Sequence, residues 1–308
     1  MRDQASAPPL PIAARHRGWR LPAWLAALVL AWSFNYIFGK WAIRGLAPAT
    51  RSPALVAAGL RVLIAAVVLD LLALHPRLRP RRLRRQEIGS LALLGLTGIT
   101  LNQFFFVWGL DFTTVAHAAL MFAMTPVLVL ALAAAWGQER PGWSQMVGMA
   151  VALGGTLIVV WRGATAGATP LGDAIELASA AAFAYYTVAG KDSVARFDTF
   201  SFTFYTYQFG VLWMLPLVLP ALWRTQWQAV TPAGWGSVAY MGLAGSLAAY
   251  FIFYDVMKRL SATQVAVLQY LQPVVASVAA VYLLAEPLTT SLLVGGCVIF
   301  SGVYLSER

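Results

Sequence analysis

"PVLVLALAAAWGQERPGWSQMVGMAVALGGTLIVV", Pro126 to Val160, returns 147 residues later as "PVVASVAAVYLLAEPLTTSLLVGGCVIFSGV", Pro273 to Val303. Pro126 meets Pro273, Glu139 meets Glu286, and Gly148 and Gly155 meet Gly295 and Gly302. The same offset continues upstream: Gly89 and Ser90 meet Gly236 and Ser237, Gly95 and Gly98 meet Gly242 and Gly245, and Phe104 and Phe106 meet Phe251 and Phe253. Composition alone does not keep such spacing from Gly89 to Gly155. Each copy holds two apolar runs around a polar turn, and each run approaches the ~20 residues that cross a hydrocarbon core. The stretch reads as a pair of membrane helices used twice.

Working outward, ten such runs appear: Ala23 to Ile43, Pro53 to Leu74, Ile88 to Gly109, Thr113 to Trp136, Trp143 to Trp161, Leu171 to Lys191, Ser201 to Trp223, Trp235 to Met257, Ser261 to Leu284 and Thr289 to Tyr304. The chain has 308 residues, 60% hydrophobic and 11% charged, more apolar surface than a water-soluble domain can cover. A β-barrel would show short alternating segments rather than Leu and Ala runs. Five spans per copy is an odd number, so the second copy lies upside down relative to the first. The expected fold is all-α and integral to the membrane, with ten transmembrane helices in two inverted five-helix repeats around a central cavity. Inverted repeats are the architecture of alternating-access transporters, with substrate near the midplane. Residues 1–22 are expected to form a basic cytoplasmic tail, 23–161 the first repeat and 171–306 the second. The first run follows Arg15, Arg17 and Arg20 as a signal peptide would, but its length and the lack of a small-residue cleavage site favour a retained helix.

Charge fixes the expected orientation. With the N-terminus inside, the inner face receives Arg2, Arg15, Arg17, Arg20, the run Arg77 to Arg85, Arg140, Lys191, Arg196, Lys258, Arg259 and Arg308. The outer face receives only Arg44, Arg51, Arg162 and Arg224. Under the positive-inside rule both termini are cytoplasmic, and the net charge of +10 reports orientation rather than nucleic-acid binding. The single cysteine, Cys297, and the scattered His16, His75 and His117 supply neither an internal disulfide nor a metal cluster. No Walker-type loop, HExxH or GxSxG in a strand-turn-helix setting is present, so no cofactor and no enzymatic chemistry are expected.

Buried polar groups nominate the site. Arg61 lies eight residues into the second span, ~12 Å below its outer end. It either attracts a substrate carboxylate or pairs internally with Glu176. Asn102, Gln103, Gln208 (the equivalent of Arg61) and Gln269 carry amides that lipid cannot satisfy, so they should face helices or a wet cavity. Tyr36, Tyr186, Tyr250 and Tyr270 add hydroxyls that seek partners. His117 reads as a packing or gate residue, and Pro126 and Pro273 mark a kink at the same depth in both halves, because each frees a carbonyl one turn earlier. No carboxylate falls at the midplane, which favours uniport.

The first span contains "WSFNYIFGK", Trp32 to Lys40, with an amide and a cation amid apolar residues. An offset of 151 aligns Gly39-Lys40 with Gly190-Lys191 and Asn35 with Tyr186. At ~100° per residue Asn35 and Lys40 stand roughly 140° apart, so one wall cannot present both. Lys40 falls in the last turn of its helix, where a cation is favoured and can reach the headgroups. Asn35, near the midplane, is expected to face the cavity with Tyr186 as its counterpart, and Lys40 to be structural or part of an outer gate.

These features together, WSFNYIFGK, the Arg61 position and the doubled Pro-to-Glu block with "GQER" and "GGTLIV" in one copy and "AEPLT" and "GGCVIFSGV" in the other, resemble the EamA family of the drug/metabolite transporter superfamily. The resemblance covers all ten spans and is nearest to the YddG-type exporters of aromatic and other amino acids. It implies two inverted five-helix repeats around a central cavity, in a bacterial inner membrane. Small multidrug-resistance relatives carry a glutamate in their first helix; Ala23 to Ile43 has no acid, which argues against cation antiport. The expected function is export of amino acids by alternating access, the partners being a small-molecule substrate and membrane lipid, around a monomer. Export of aromatic drugs or of anionic metabolites such as sugar phosphates is the first alternative, and a lipid-modifying membrane enzyme the second.

Overall fold

A computed structural model describes residues 20–138, 140–162, 167–257 and 262–306, with the side chains of 256–257 and 262–270, among a few others, outside that description. The predicted tail residues 1–19 and Glu139 therefore lie outside the described residues.

The ten predicted spans correspond to ten helices: α1 (Arg20–Leu46), α2 (Pro53–Ala73), α3 (Arg85–Phe112), α4 (Val115–Ala135), α5 (Trp143–Arg162), α6 (Pro170–Arg196), α7 (Thr199–Trp223), α8 (232–257), α9 (Ala262–Leu284) and α10 (Thr290–Ser306). Seven of them are at once long and apolar enough to cross a membrane whole; parts of α9 and α10 qualify as shorter apolar helices. Start signals are explicit in the sequence. Thr114, Thr169, Asp198 and Thr231 each accept a hydrogen bond from the backbone N–H three residues on, and Pro170 and Pro232 occupy the first turn, where a missing N–H costs nothing. Trp24, Leu71, Leu157, Trp213, Trp223 and Tyr282 stand exposed on the outside of the bundle, as expected of surface that meets lipid.

The helix pairings exchange under a two-fold operation. α1 packs on α8 while α6 packs on α3; α9 packs on α1 while α4 packs on α6; and α2 meets α7, α4 meets α9, and α5 meets α10. Each of these contacts between the halves thus has its counterpart with the halves exchanged, as inverted repeats require. The α5–α10 seam is tight because its glycines interlock: a Cβ on Gly302 would run into the Ala152 backbone, and one on Gly155 would lie 2.7 Å from the Ile299 nitrogen. The symmetry reaches local winding. Gly95–Leu101 in α3 and Met241–Ala248 in α8 are both π-helical, at the offset of the sequence repeat.

The paired prolines, expected to mark matching kinks, sit in unlike backbone. α4 is interrupted at Ala123 and Met124, just before Pro126, whereas α9 runs unbroken through Pro273. The neighbouring residue explains the break. Pro126 frees the Phe122 carbonyl, and the Thr125 hydroxyl donates to that carbonyl at 2.6 Å, which stabilises the interruption. The corresponding Gln272 has no hydroxyl, and its own carbonyl accepts from Ser33 Oγ at 3.3 Å across the helix interface.

Candidate functional site

The helices enclose a small central cavity lined by Trp32, Asn35 and Tyr36 of α1, Arg61 of α2, Asn102 and Phe106 of α3, Phe122 of α4, Phe183 of α6, Gly245 and Tyr250 of α8, and Gln272 of α9. Both repeats contribute. Its free space is about 40 Å³, room for a water or two rather than for an organic solute.

Arg61 is the centre of its chemistry. The side chain is only 3% exposed, and Nε and Nη2 donate to Ser246 Oγ at 3.1 and 3.0 Å. Ser246 Oγ in turn donates to Gln103 Oε1 at 3.2 Å, and Gln103 Nε2 donates to the Tyr207 hydroxyl at 3.2 Å. The guanidinium also stands 5.5 Å from the Phe106 ring centre, a cation–π distance. Among the described residues no carboxylate lies within 4.0 Å of it; the ion pairs found are Arg81–Glu87 and His117–Asp173. The internal pair with Glu176 that the sequence allowed is therefore absent. A guanidinium has five N–H donors, so two bonds to one serine oxygen leave it able to take a bidentate anion.

A second network holds the opposite wall. Asn102 Nδ2 donates to the Ser179 carbonyl and hydroxyl oxygens, both at 3.1 Å, and Ser179 Oγ returns a bond to the Asn102 carbonyl at 2.9 Å. Tyr250 donates to the Gly98 carbonyl at 3.2 Å and to Asn102 Oδ1 at 3.3 Å. Trp32 Nε1 donates to the Gly245 carbonyl at 3.2 Å. Both π-turn glycine carbonyls are thereby satisfied by aromatic donors, and the surrounding rings stack edge to face: Trp32 with Phe183 at 6.2 Å and with Tyr250 at 6.1 Å, and Tyr36 with Phe106 at 4.9 Å.

Of the residues nominated from sequence, Asn35, Tyr36, Arg61, Asn102 and Tyr250 line the cavity. Gln103 stands just behind it, holding Ser246. Two nominations are corrected. Tyr186 is buried away from the cavity, its ring packed against Gly98, because the turn of α6 that reaches the cavity is the preceding one, with Phe183. Gln208 lies on the bundle exterior and donates to Asp70 Oδ1 at 2.8 Å, so equivalence with Arg61 did not transmit its role. The side chains of Gln269 and Tyr270 lie outside the described residues. Trp32, Phe106, Phe122, Phe183, Gly245 and Gln272 were not nominated; Phe183 follows Trp32 by the same 151 residues that separate Asn35 from Tyr186, a signal present in the sequence.

A further polar layer stands toward the α3–α4 turn. Asp173 accepts from the Thr113 hydroxyl at 2.5 Å and faces His117 Nδ1 at 3.0 Å, while Glu286 accepts from the Val115 N–H at 2.9 Å. Burial raises the Glu286 carboxyl above its ordinary range and Lys40, facing it, opposes that rise. Lys40 thus belongs to this layer and not to the cavity wall.

A polytopic helical bundle with exchanged repeats and a polar cavity between them is the build of a membrane transporter. The chain belongs to the EamA-like transporter family, whose model matches residues 20–161 and 170–308. It is 32% identical over 249 residues, 80% of this chain and 82% of the relative, to a "Probable terminal-alkyne amino-acid exporter" of Streptantibioticus cattleyicolor. It is 25% identical over 285 residues, 92% of this chain and 95% of the relative, to an "Uncharacterized transporter" of Archaeoglobus fulgidus. A crystal structure covering 93% of this chain and 96% of its own superposes with a TM-score of 0.62 at 19% identity, which shows a shared fold.

Proposed function

We propose that this transporter exports amino acids, binding the α-carboxylate at Arg61 and moving the substrate by alternating access between its two repeats, 23–161 and 171–306. The observation that carries the reading is a buried guanidinium in the wall of a central cavity with no carboxylate within 4.0 Å among the described residues. A buried charge without a counterion is costly, and a substrate anion removes that cost when it binds. The name of the Streptantibioticus relative supports the same substrate class. The apolar rings of Trp32, Phe106, Phe183 and Tyr250 suit a hydrophobic or aromatic side chain, while the Asn35 and Asn102 amides suit the polar backbone of the solute. A cavity of about 40 Å³ cannot hold an amino acid as it stands, so binding must be accompanied by movement of the helices that line it.

In this reading the protein lies in a bacterial inner membrane with both termini in the cytoplasm and residues 1–22 as a basic tail, so that the Glu286 end of the bundle faces outward. Purified protein in sealed liposomes preloaded with unlabelled phenylalanine should accumulate labelled phenylalanine by exchange. Unlabelled amino acids should compete and phenethylamine, which lacks the carboxylate, should not. Competition by phenethylamine equal to that by phenylalanine would overturn the carboxylate assignment.

A further inference from the structure

Glu176 is a buried acid that the substrate site does not use. It is 0% exposed, and both carboxylate oxygens are buried without a hydrogen-bond partner. Its place is made by Gly109 of α3, where a Cβ would stand 2.9 Å from Oε1. One turn away toward the cavity stand Tyr36 and Phe106, both lining it. The titratable and charged groups that face Glu176 are Asp173 on its own helix and Tyr36 and Lys40 on α1. Asp173 is already engaged by Thr113 and His117. Lys40 is within electrostatic reach of Glu176, Asp111 and Glu286 together, yet forms no ion pair within 4.0 Å among the described residues. Lys40, with Arg44 one turn further along α1 also acting on it and on Glu286, thus stands among three acids without having closed on any of them.

An ionised carboxylate that is fully buried, with neither oxygen hydrogen-bonded to the chain, is expensive, and the neutral form avoids that cost. A neutral acid beside an unpaired lysine is one half of a two-state arrangement, the other half being an ion pair formed once the layer loosens and hydrates. We propose that Glu176 is a proton-binding site of the transport cycle: protonated while the Glu286 end of the bundle is closed, and ionised, paired with Lys40, when that end opens. The proton leaves to the water that enters, and returns before the end closes. This deepens the transporter reading and rests on it for its consequence, that opening on the Glu286 side is coupled to pH there and is not the free uniport that the lack of a midplane acid suggests. Glu176 stands behind the cavity-lining Tyr36 and Phe106, where a charge change acts on opening rather than on substrate affinity.

Two measurements test it, one of them independent of substrate. In infrared difference spectra across a pH titration of the purified protein, wild type should show a protonated-carboxyl C=O band at neutral pH that Glu176→Gln lacks. Should that variant not be recovered, Gly109→Ala places a methyl against the carboxylate and must shift the band. A wild-type spectrum without a protonated carboxyl at neutral pH, or a band that neither variant moves, overturns the proposal. In liposomes loaded with labelled phenylalanine, efflux by wild type should rise several-fold as the pH at the Glu286 side is raised, and efflux by Glu176→Gln should be flat. Identical pH profiles overturn the proposal while leaving the transporter reading intact. The band with no flux of any solute supports the proton site and sinks the transporter reading.

Discussion

At Gly98 the π-turn of α3 carries the ring of Tyr186 from α6, and at Gly245 the equivalent turn of α8 carries the amide of Asn35 from α1. Each glycine carbonyl accepts from an aromatic donor, Tyr250 in one case and Trp32 in the other, both at 3.2 Å. The backbones are thus repeated closely, down to the winding and the hydrogen bonds. The occupants are not. A tyrosine fills its recess with a ring, whereas an asparagine leaves polar surface in the cavity wall. The same holds one helix away, where Arg61 points into the cavity and its equivalent Gln208 pairs with Asp70 on the exterior. Duplication supplies a two-fold scaffold, and single side chains on it make the cavity polar on one side; in the proposed function that asymmetry is what receives the substrate. An amino acid has no two-fold symmetry, so a symmetric cavity would bind it poorly.

The largest effect should come from making the second repeat's choice in the first. Arg61→Gln removes the cation from the cavity and takes from Ser246 Oγ its two guanidinium donors. Losing a buried charge partner costs roughly 2–5 kcal/mol, so transport of carboxylate-bearing substrates should fall on the order of a hundredfold. Exchange of labelled phenylalanine in liposomes measures it, with folding checked by gel filtration in detergent. Retained exchange would place the carboxylate elsewhere and restore a symmetric role to the two positions.

Next come the glycines of the turns themselves. Gly98→Ala drives a methyl into the Tyr186 ring, which is walled by Phe183, Phe202 and Tyr254 and cannot retreat. Overpacking of that kind costs about 1–3 kcal/mol, seen as a lower thermal midpoint in detergent. Gly245→Ala meets the Asn35 side chain first, at its amide end, which can rotate toward the cavity. Its stability loss should be smaller and its loss of transport larger. Gly89→Ala, where nothing lies within 4 Å, should cost nothing and gives the baseline. Equal destabilisation by the two π-turn variants would mean that the occupants do not distinguish the turns.

Much of this contrast is legible in the chain. The doubled Pro-to-Glu block points to ten helices and their inversion, and an amide or guanidinium at membrane depth needs a polar partner, which brings out Asn35, Arg61 and Asn102. Rings are harder to read. Phe122 and Phe183 line the cavity while Tyr186 fills the core, and no periodicity separates these uses because an aromatic side chain is equally at home in both. Equivalence by sequence offset misled at Gln208, since the offset transmits backbone position and the exterior was as open to an amide as the interior once Asp70 stood opposite. The unequal behaviour of Pro126 and Pro273 turned on one hydroxyl, that of Thr125, acting on a carbonyl whose need is visible only in three dimensions.

The smallest effect sharpens the comparison most. The Tyr186 hydroxyl is buried with no hydrogen-bond partner, and so is that of Tyr254 beside it. If Tyr186 serves only to fill the recess at Gly98, the hydroxyl is a desolvated group that contributes nothing, and Tyr186→Phe should stabilise the protein by up to about 1 kcal/mol by removing it. Transport should be unchanged. If Tyr186 is instead the cavity counterpart of Asn35, its hydroxyl acquires a partner in a state that opens the cavity, and the same variant slows exchange with little change in stability. Measuring the thermal midpoint and phenylalanine exchange on one preparation separates the two outcomes. Asn35→Leu serves as the reference, since it removes an amide from the cavity wall and should lower exchange while keeping the fold.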